Sequence, residues 1–302
     1  MTPENSTRRK RICFIFGPRV PQDSTINLAL ARLAARRGSV EDATRYYHNA
    51  IYGFWSSNLD QNRRQARFEL IEFLLKQNAW PQAQAELLAL SQVLGSDVGQ
   101  HLKVARLFAE ARDYTNALDQ YELVLKTNDK DAEALAGAGE AAFQMGRYRT
   151  AKRYLQETDK VDPQNTRVRQ QLQMATLVLD SDPFLRRISD AERNRRIAAS
   201  FAQAGDRLQA CAQTRGATLP ASAENPANSG TAATPLQSLW QRWQSARPDL
   251  RRLGTARDAD VPDNLMDLVF QIQRETAQEC GDPSGRDLAL LLISRDREAA
   301  DR

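Results

Sequence analysis

The chain has 302 residues, of which 42 are Lys or Arg and 38 are Asp or Glu, for a net charge of +4. With 41% hydrophobic residues it holds enough apolar material for a packed core, which excludes a multi-span membrane protein, a collagen-like chain and a wholly disordered one. Three cysteines, Cys13, Cys211 and Cys280, are too few and too scattered for a disulfide framework and fit a reducing compartment.

Residues 1–20 read as a basic tail, with Arg8, Arg9, Lys10 and Arg11 in succession. The apolar run Ile12–Phe16 is shorter than a secretory-signal core, and Gly17-Pro18 ends it. No stretch approaches the roughly 18 apolar residues of a membrane span. The cytoplasm is therefore the expected location. The alternative is a cell-envelope assembly factor tethered by a segment upstream of this chain.

Beyond the tail the sequence repeats. Ala83, Ala117 and Ala151 recur at one constant interval, and Trp80, Tyr114 and Tyr148 keep the same step. An earlier copy, Gly38–Ala43, is set six positions further from the Ala83 copy than that interval, an insertion placed around 58–63. Each copy joins two amphipathic segments through a tight turn. In the copy at 132–165, Leu135, Ala138, Gly139 and Ala142 share one helical face. Gly146 supplies the turn, and Ala151, Leu155 and Thr158 line the second helix, which stops at Asp162-Pro163. The insertion follows the aromatic residues Tyr46, Tyr47, Tyr52, Phe54 and Trp55, expected to seal the joint between the first two copies, with an extended second helix whose aromatic patch forms a secondary interface as the alternative.

Residues 166–215 form a divergent helical repeat or cap: one helix over 166–180, then a helical hairpin over 190–214 in which Gly205–Ala210 is a further, displaced copy of the turn. Ser189 and Glu192 have capping-box spacing at its start. Residues 216–235 are almost entirely Gly, Ala, Ser, Thr, Pro and Asn and read as a flexible linker. Helical patterns return over 236–302, through Leu236, Leu239, Trp240 and Trp243, then Leu265, Leu268, Val269 and Ile272, then Leu288, Leu291 and Leu292. These helices either cap the stack or form a separate module, and the two tryptophans, on the leucine stripe, are expected in the core.

The repeated unit resembles the tetratricopeptide repeat. The family's positions fall on Leu135, Ala138, Gly139, Ala142, Tyr148, Ala151, Leu155 and Pro163 in one copy, and on Val104, Ala105, Phe108, Tyr114, Ala117 and Tyr121 in the copy before it. Four units are assigned, at 24–57, 64–97, 98–131 and 132–165. The resemblance implies an all-α fold, a right-handed superhelical solenoid of helix-turn-helix repeats with a small C-terminal helical region. It also implies a concave groove lined by first helices that takes an extended or helical peptide segment. By the family's groove positions, the partner-binding candidates are Arg32, Arg36, Phe68, Glu72, Lys76, Arg106, Glu110, Glu140, Phe143 and Gln144. Phe68 and Phe143 look exposed in this groove, the alternative being that both rings pack within it and the polar groups are solvated. The Lys and Asn pair with which chaperone-binding members hold a C-terminal carboxylate is missing, so no carboxylate clamp is expected.

No catalytic, cofactor or metal motif accompanies these features. His48 and His101 both fall inside repeat helices, without a second His or a Cys at ligand spacing. Gly137-Ala138-Gly139 begins like a dinucleotide fingerprint, but Ala142 takes the place of the third glycine, and close helix packing explains the pair. The expected function is a non-enzymatic adaptor with a protein partner. The competing reading is nucleic-acid binding through the arginine runs at 186–196 and 242–257, against which the small net charge counts.

Overall fold

A computed structural model describes residues 23–220, 234–254 and 260–300. Among them are thirteen α-helices and one short 3-10 helix, and the expected all-α repeat architecture is what forms. The described chain makes two compact units, one up to Met145 and one from Gly146 onward. Residues 8–11, Arg257 and the linker segment 221–233 lie outside the described residues.

The first unit holds α1 (Ser24–Arg36), α2 (Val40–Tyr52), α3 (Leu59–Lys76), α4 (Trp80–Ser91), α5 (Val98–Glu110), α6 (Tyr114–Thr127) and α7 (Ala132–Gln144). Each helix packs on the next, and α3 with α5 and α5 with α7 also touch, as stacked hairpins require. The turns inside the hairpins share one design. The N–H groups of Ser39, Ala79 and Asp113 donate to the carbonyls of Ala34, Leu74 and Phe108 at 3.2, 2.9 and 2.9 Å, closing the first helix of each pair. That closure needs one left-handed residue, and Gly38, Asn78 and Arg112 supply it at φ +71°, +56° and +61°. Arg112 adopts it at a steric cost of about 1–2 kcal/mol. Its guanidinium lies 3.9 Å from the centre of the Trp80 ring, which offsets part of that cost. Asp97, Asp113 and Asp131 cap α5, α6 and α7 by accepting from the N–H three residues on.

Small side chains set the helix spacing. Ala31, Ala43, Ala50, Ala66, Ala83, Ala105, Ala117 and Ala138 are fully buried, and Leu70, Ile71, Leu87, Leu90 and Phe108 fill the space between them. Gly137 is required by contact: a Cβ there would stand 2.2 Å from the Tyr121 ring.

The inserted residues do not lengthen the second helix, which ends at Tyr52. They lengthen the first helix of the following pair, so α3 has 18 residues where α1, α5 and α7 have 13. Asn58 turns the chain into α3 at φ +50°, and Trp55 Nε1 donates to the Ala50 carbonyl at 2.8 Å. The aromatic residues do not form one seal. Tyr47 is buried, whereas Tyr52 and Phe54 are 67% and 71% exposed.

The second unit holds α8 (Tyr148–Val161), α9 (Thr166–Ser181), α10 (Asp190–Thr214), α11 (Pro235–Ala246), the 3-10 helix Arg247–Arg252, α12 (Val261–Cys280) and α13 (Gly285–Ala300). The expected hairpin at 190–214 is instead one continuous helix of 25 residues. Gly205 lies inside it as a notch for Trp243, where a Cβ would stand 2.3 Å from the indole. Trp243 stacks on Phe201 with ring centres 5.2 Å apart and on Trp240 at 4.9 Å, and its Nε1 donates to the Phe201 carbonyl at 2.9 Å. The expected core role of both tryptophans is met, Trp240 being buried and Trp243 half-buried. Ser189 caps α10 by accepting from Glu192 N–H, but the Glu192 carboxylate turns to Arg195 and Arg196, so only half of the capping box forms.

The C-terminal helices fold back: α12 runs against α10, and α13 against α9 and α10. The start of the expected linker is tied down, with the Thr218 carbonyl accepting from Gln237 at 3.0 Å and the Pro220 carbonyl from Trp240 Nε1 at 2.8 Å. Cys211 of α10 and Cys280 of α12 form a disulfide. This corrects the expectation of unpaired cysteines: the two stand 69 residues apart in sequence and meet only because α12 returns along α10.

Candidate protein-binding face

The charged candidates lie on α1, α3, α5 and α7, the first helices of successive pairs, and ion pairs connect these helices in series. Arg32 of α1 donates from Nε and Nη2 to the two carboxylate oxygens of Glu69 on α3, at 2.8 and 2.7 Å. Glu72 of α3 lies 3.2 Å from Lys103 Nζ on α5. Arg106 of α5 donates from Nη2 to Glu133 of α7 at 2.9 Å. The Lys103 ammonium also lies 4.0 Å above the centre of the Phe68 ring. Phe68 is 8% exposed, so of the two readings its ring packs within the face, under a cation, and does not stand open.

Four of the ten candidates share one open cleft of about 490 Å³ between the first two hairpins: Arg32, Arg36, Glu72 and Lys76, joined by Tyr47, Glu69 and Phe73. Arg32 holds the Glu69 carboxyl below the usual carboxylate range, chiefly through their hydrogen bond, and Glu69 in turn raises the Arg32 guanidinium. Burial first, and the Glu69 charge second, push the Tyr47 phenol up to about 12, so it remains a neutral hydroxyl at the wall of the cleft. Among the described residues Arg36 and Lys76 have no ion-pair or hydrogen-bond partner. The cleft thus combines one internally satisfied pair with two unspent cations. Glu110 is exposed at the end of α5. On α7 Glu140 and Phe143 are half-buried and Gln144 is exposed, all outside this cleft.

Sequence reasoning missed Glu69 and Lys103, which complete the ladder. The signal was present. Glu69 and Glu72 occupy the same two repeat positions as Lys103 and Arg106 in the next copy, with the charge reversed.

The two histidines sit among side-chain and backbone partners. His48 Nε2 is 2.8 Å from Glu86 Oε1, and His101 meets Gln120 at 2.7 Å and the Gly95 carbonyl at 3.0 Å. Among the described residues no group of His, Cys, Asp and Glu is arranged to hold a metal, and no helix is long and apolar enough to cross a membrane. The arginine run at 186–196 is largely engaged by its own neighbours. Arg193 pairs with Asp190, Arg195 and Arg196 with Glu192, and Arg196 also donates to the carbonyls of Leu179 and Asp182 at 2.6 and 2.9 Å. These bonds, from Arg195 first and then Arg196, lower the Glu192 carboxyl to about 2.

The profile of the tetratricopeptide repeat family matches residues 108–173. No curated protein matches the chain. Among solved structures, the crystal structure of MamA protein aligns with 16% identity and a TM-score of 0.39, over 50% of this chain and 80% of that one. A tetratricopeptide repeat protein from Parabacteroides merdae ATCC 43184 aligns with 12% identity and a TM-score of 0.42, over 91% of this chain and 99% of that one. The family match on 108–173 shows tetratricopeptide repeats in that part of the chain, and the helix pairs that recur at the same step with a shared turn design are like them.

Proposed function

We propose that this protein is a non-catalytic scaffold that holds a segment of a partner protein along the face made by α1, α3, α5 and α7. The observation that carries the reading is the cleft where Arg36 and Lys76 stand unpaired beside the Arg32–Glu69 pair. Exposed ion pairs are individually weak, about 0–1 kcal/mol, so a partner exchanges them at little cost. An acidic side chain entering the cleft gains two cations without breaking any bond seen in the structure. The ladder beyond it, Glu72–Lys103 and Arg106–Glu133, presents both signs and selects a segment of matching charge order.

The test is affinity capture from native lysate with the intact chain and with an Arg36→Glu/Lys76→Glu variant of verified helicity. The expected result is one or a few proteins retained by the first bait and lost from the second. Identical capture by both baits removes the cleft from the function. Nucleic-acid binding is the weaker reading, because Arg193, Arg195, Arg196 and Arg252 are engaged by Asp190, Glu192 and Asp249. Salt-sensitive retention of RNA or DNA by the intact chain would restore it.

The Cys211–Cys280 bond supports an oxidising compartment over the cytoplasm. Alkylation in denaturant without reductant, of protein trapped as it leaves the cell and read by mass spectrometry, checks this: Cys211 and Cys280 stay unmodified if the bond exists in the cell.

A further inference from the structure

The six-residue insertion is the one departure from the regular repeat step within the first unit, and stacking does not require it, since the next pair forms without it. Its effect is to carry α3 beyond the repeat by residues 59–63 and to place new side chains beside the end of α2. There Asp60, Arg63, Arg64 and Arg67 meet Ile51, Tyr52 and Val93 around a cavity of about 410 Å³.

The three arginines are in different states. Arg67 is paired, its Nε lying 3.1 Å from Glu86 Oε2 as a charge contact without hydrogen-bond geometry and its Nη2 donating to the Tyr52 hydroxyl at 3.0 Å. It thereby fixes the Tyr52 ring, whose centre is 5.7 Å from the guanidinium. Arg63 makes one long bond to the Gly53 carbonyl at 3.5 Å, and its Nε is buried without a partner. Among the described residues Arg64 has no partner, although Asp60 stands in the same lining and makes no ion pair with either. The charges facing the cavity are therefore three arginines against one aspartate, with Glu86 behind Arg67 already shared with His48. Around them Tyr52, Phe54 and Val93 are 67%, 71% and 55% exposed. Unspent guanidinium groups beside a fixed, exposed tyrosine are the composition of an interaction hot spot.

We infer that this joint is a second interaction surface, separate from the α1–α3–α5–α7 face and independent of its role. It takes an acidic partner segment that carries an apolar side chain. An Asp or Glu carboxylate lies against Arg63 and Arg64, which supply the paired N–H donors a carboxylate accepts best. The neighbouring apolar side chain rests on Tyr52, Val93 and Phe54.

The test uses the full chain and the fluorescein-labelled peptide Glu-Glu-Phe-Glu-Glu, read by fluorescence polarisation. The expected result is binding that weakens as salt is raised and falls by about tenfold or more in Arg63→Gln/Arg64→Gln. Tyr52→Ala, or Ser in place of the peptide's Phe, weakens it by a smaller factor, and Lys160→Gln, which removes an exposed charge from α8 in the second unit, leaves it unchanged. Circular dichroism of each variant separates lost binding from lost folding. The inference is overturned by absence of binding, by equal binding of Lys-Lys-Phe-Lys-Lys, or by loss of binding in the Arg36/Lys76 variant alone. Hydroxyl-radical footprinting of the free chain adds a further check. Protection of Tyr52 and Phe54 would show that the chain's own N-terminal segment or a second copy covers them, and would also overturn it.

Discussion

The same short pattern, a glycine and an alanine five positions on with one aliphatic residue among polar ones between them, does different work in the two units. At Gly38 in the first unit it ends a helix and reverses the chain. At Gly205 in the second it sits inside α10, and the missing side chain makes room for Trp243. The local sequences are alike; what differs is the surroundings. A helix ends at such a pattern when a following helix can fold back onto it. Around Gly205 the apolar residues Phe201, Ala204 and Leu208 instead present one continuous stripe to the C-terminal helices. In the first unit neighbouring hairpins satisfy one another. In the second the returning helices α12 and α13 do so, and a covalent bond holds one of them.

That contrast is open to attack, first at the disulfide. Replacing both Cys211 and Cys280 by Ser frees a loop of roughly 70 residues in the unfolded state, an expected loss of about 4 kcal/mol on the chain-entropy scale. The melting transition of the second unit should fall accordingly, and hydrogen exchange should increase in α10 and α12 while α1 to α6 keep their protection. Equal loosening of both units would break the comparison.

The notch comes next. Gly205→Ala drives a Cβ into the Trp243 indole and should cost about 1–3 kcal/mol despite the better helix propensity of alanine. Gly99→Ala is the control. It lies in α5, where the nearest atom to a new Cβ is an Asp97 oxygen at 3.4 Å, and it should be neutral or stabilising. Tryptophan fluorescence and thermal melts of the two variants decide whether Gly205 is a packing residue or a tolerated accident.

The smallest effect distinguishes the units by pH. In the second unit burial raises the Asp182 and Asp296 carboxyls above the usual value, Asp296 also accepting a hydrogen bond from Tyr148. A raised carboxyl binds its proton more readily when folded. Its charge therefore destabilises the fold above the folded pKa, and stability returns as pH falls through that value towards the ordinary aspartate pKa. Glu69 in the first unit is lowered, so its contribution is present above the ordinary glutamate pKa and is lost as pH falls through the folded value. Asp296→Asn should accordingly raise the melting temperature at neutral pH and lose that advantage in mild acid. Glu69→Gln should lower it slightly at neutral pH, with the difference vanishing in stronger acid.

Much of this was legible in the sequence, for identifiable reasons. The hairpins were readable because Ala83, Ala117 and Ala151 must be small wherever two helices cross, and the stack repeats that crossing in every copy. The left-handed turns were readable at Gly38 and at Asn78, since asparagine follows glycine in taking that conformation, and not at Arg112, where tertiary closure imposes a conformation the residue does not favour. The core placement of Trp240 and Trp243 followed from their stripe. The continuity of α10 did not, because it depends on helices that come much later in the chain. The disulfide was hidden for the same reason. Of the binding face, the positions were accessible from the repeat, but the pairing was not. Glu69 and Lys103 gain meaning only when each is set beside the helix next to it, and Phe68 looks exposed until Lys103 is placed over it.

The alternation of charge along the first helices also bears on how the array assembles. Because Arg32 faces Glu69, Glu72 faces Lys103 and Arg106 faces Glu133, each helix is matched to its immediate neighbour. Hairpins built on one template are otherwise interchangeable, and a folding chain that skipped one would still bury similar alanines and leucines. Stacking α1 directly on α5 would set Arg32 against Lys103 and Arg106, and stacking α3 on α7 would set Glu69 and Glu72 against Glu133. Contacts that add at most about 1 kcal/mol each to the finished protein thus turn against a stack that skips one hairpin, and the order of neighbours is written in the signs of their charges.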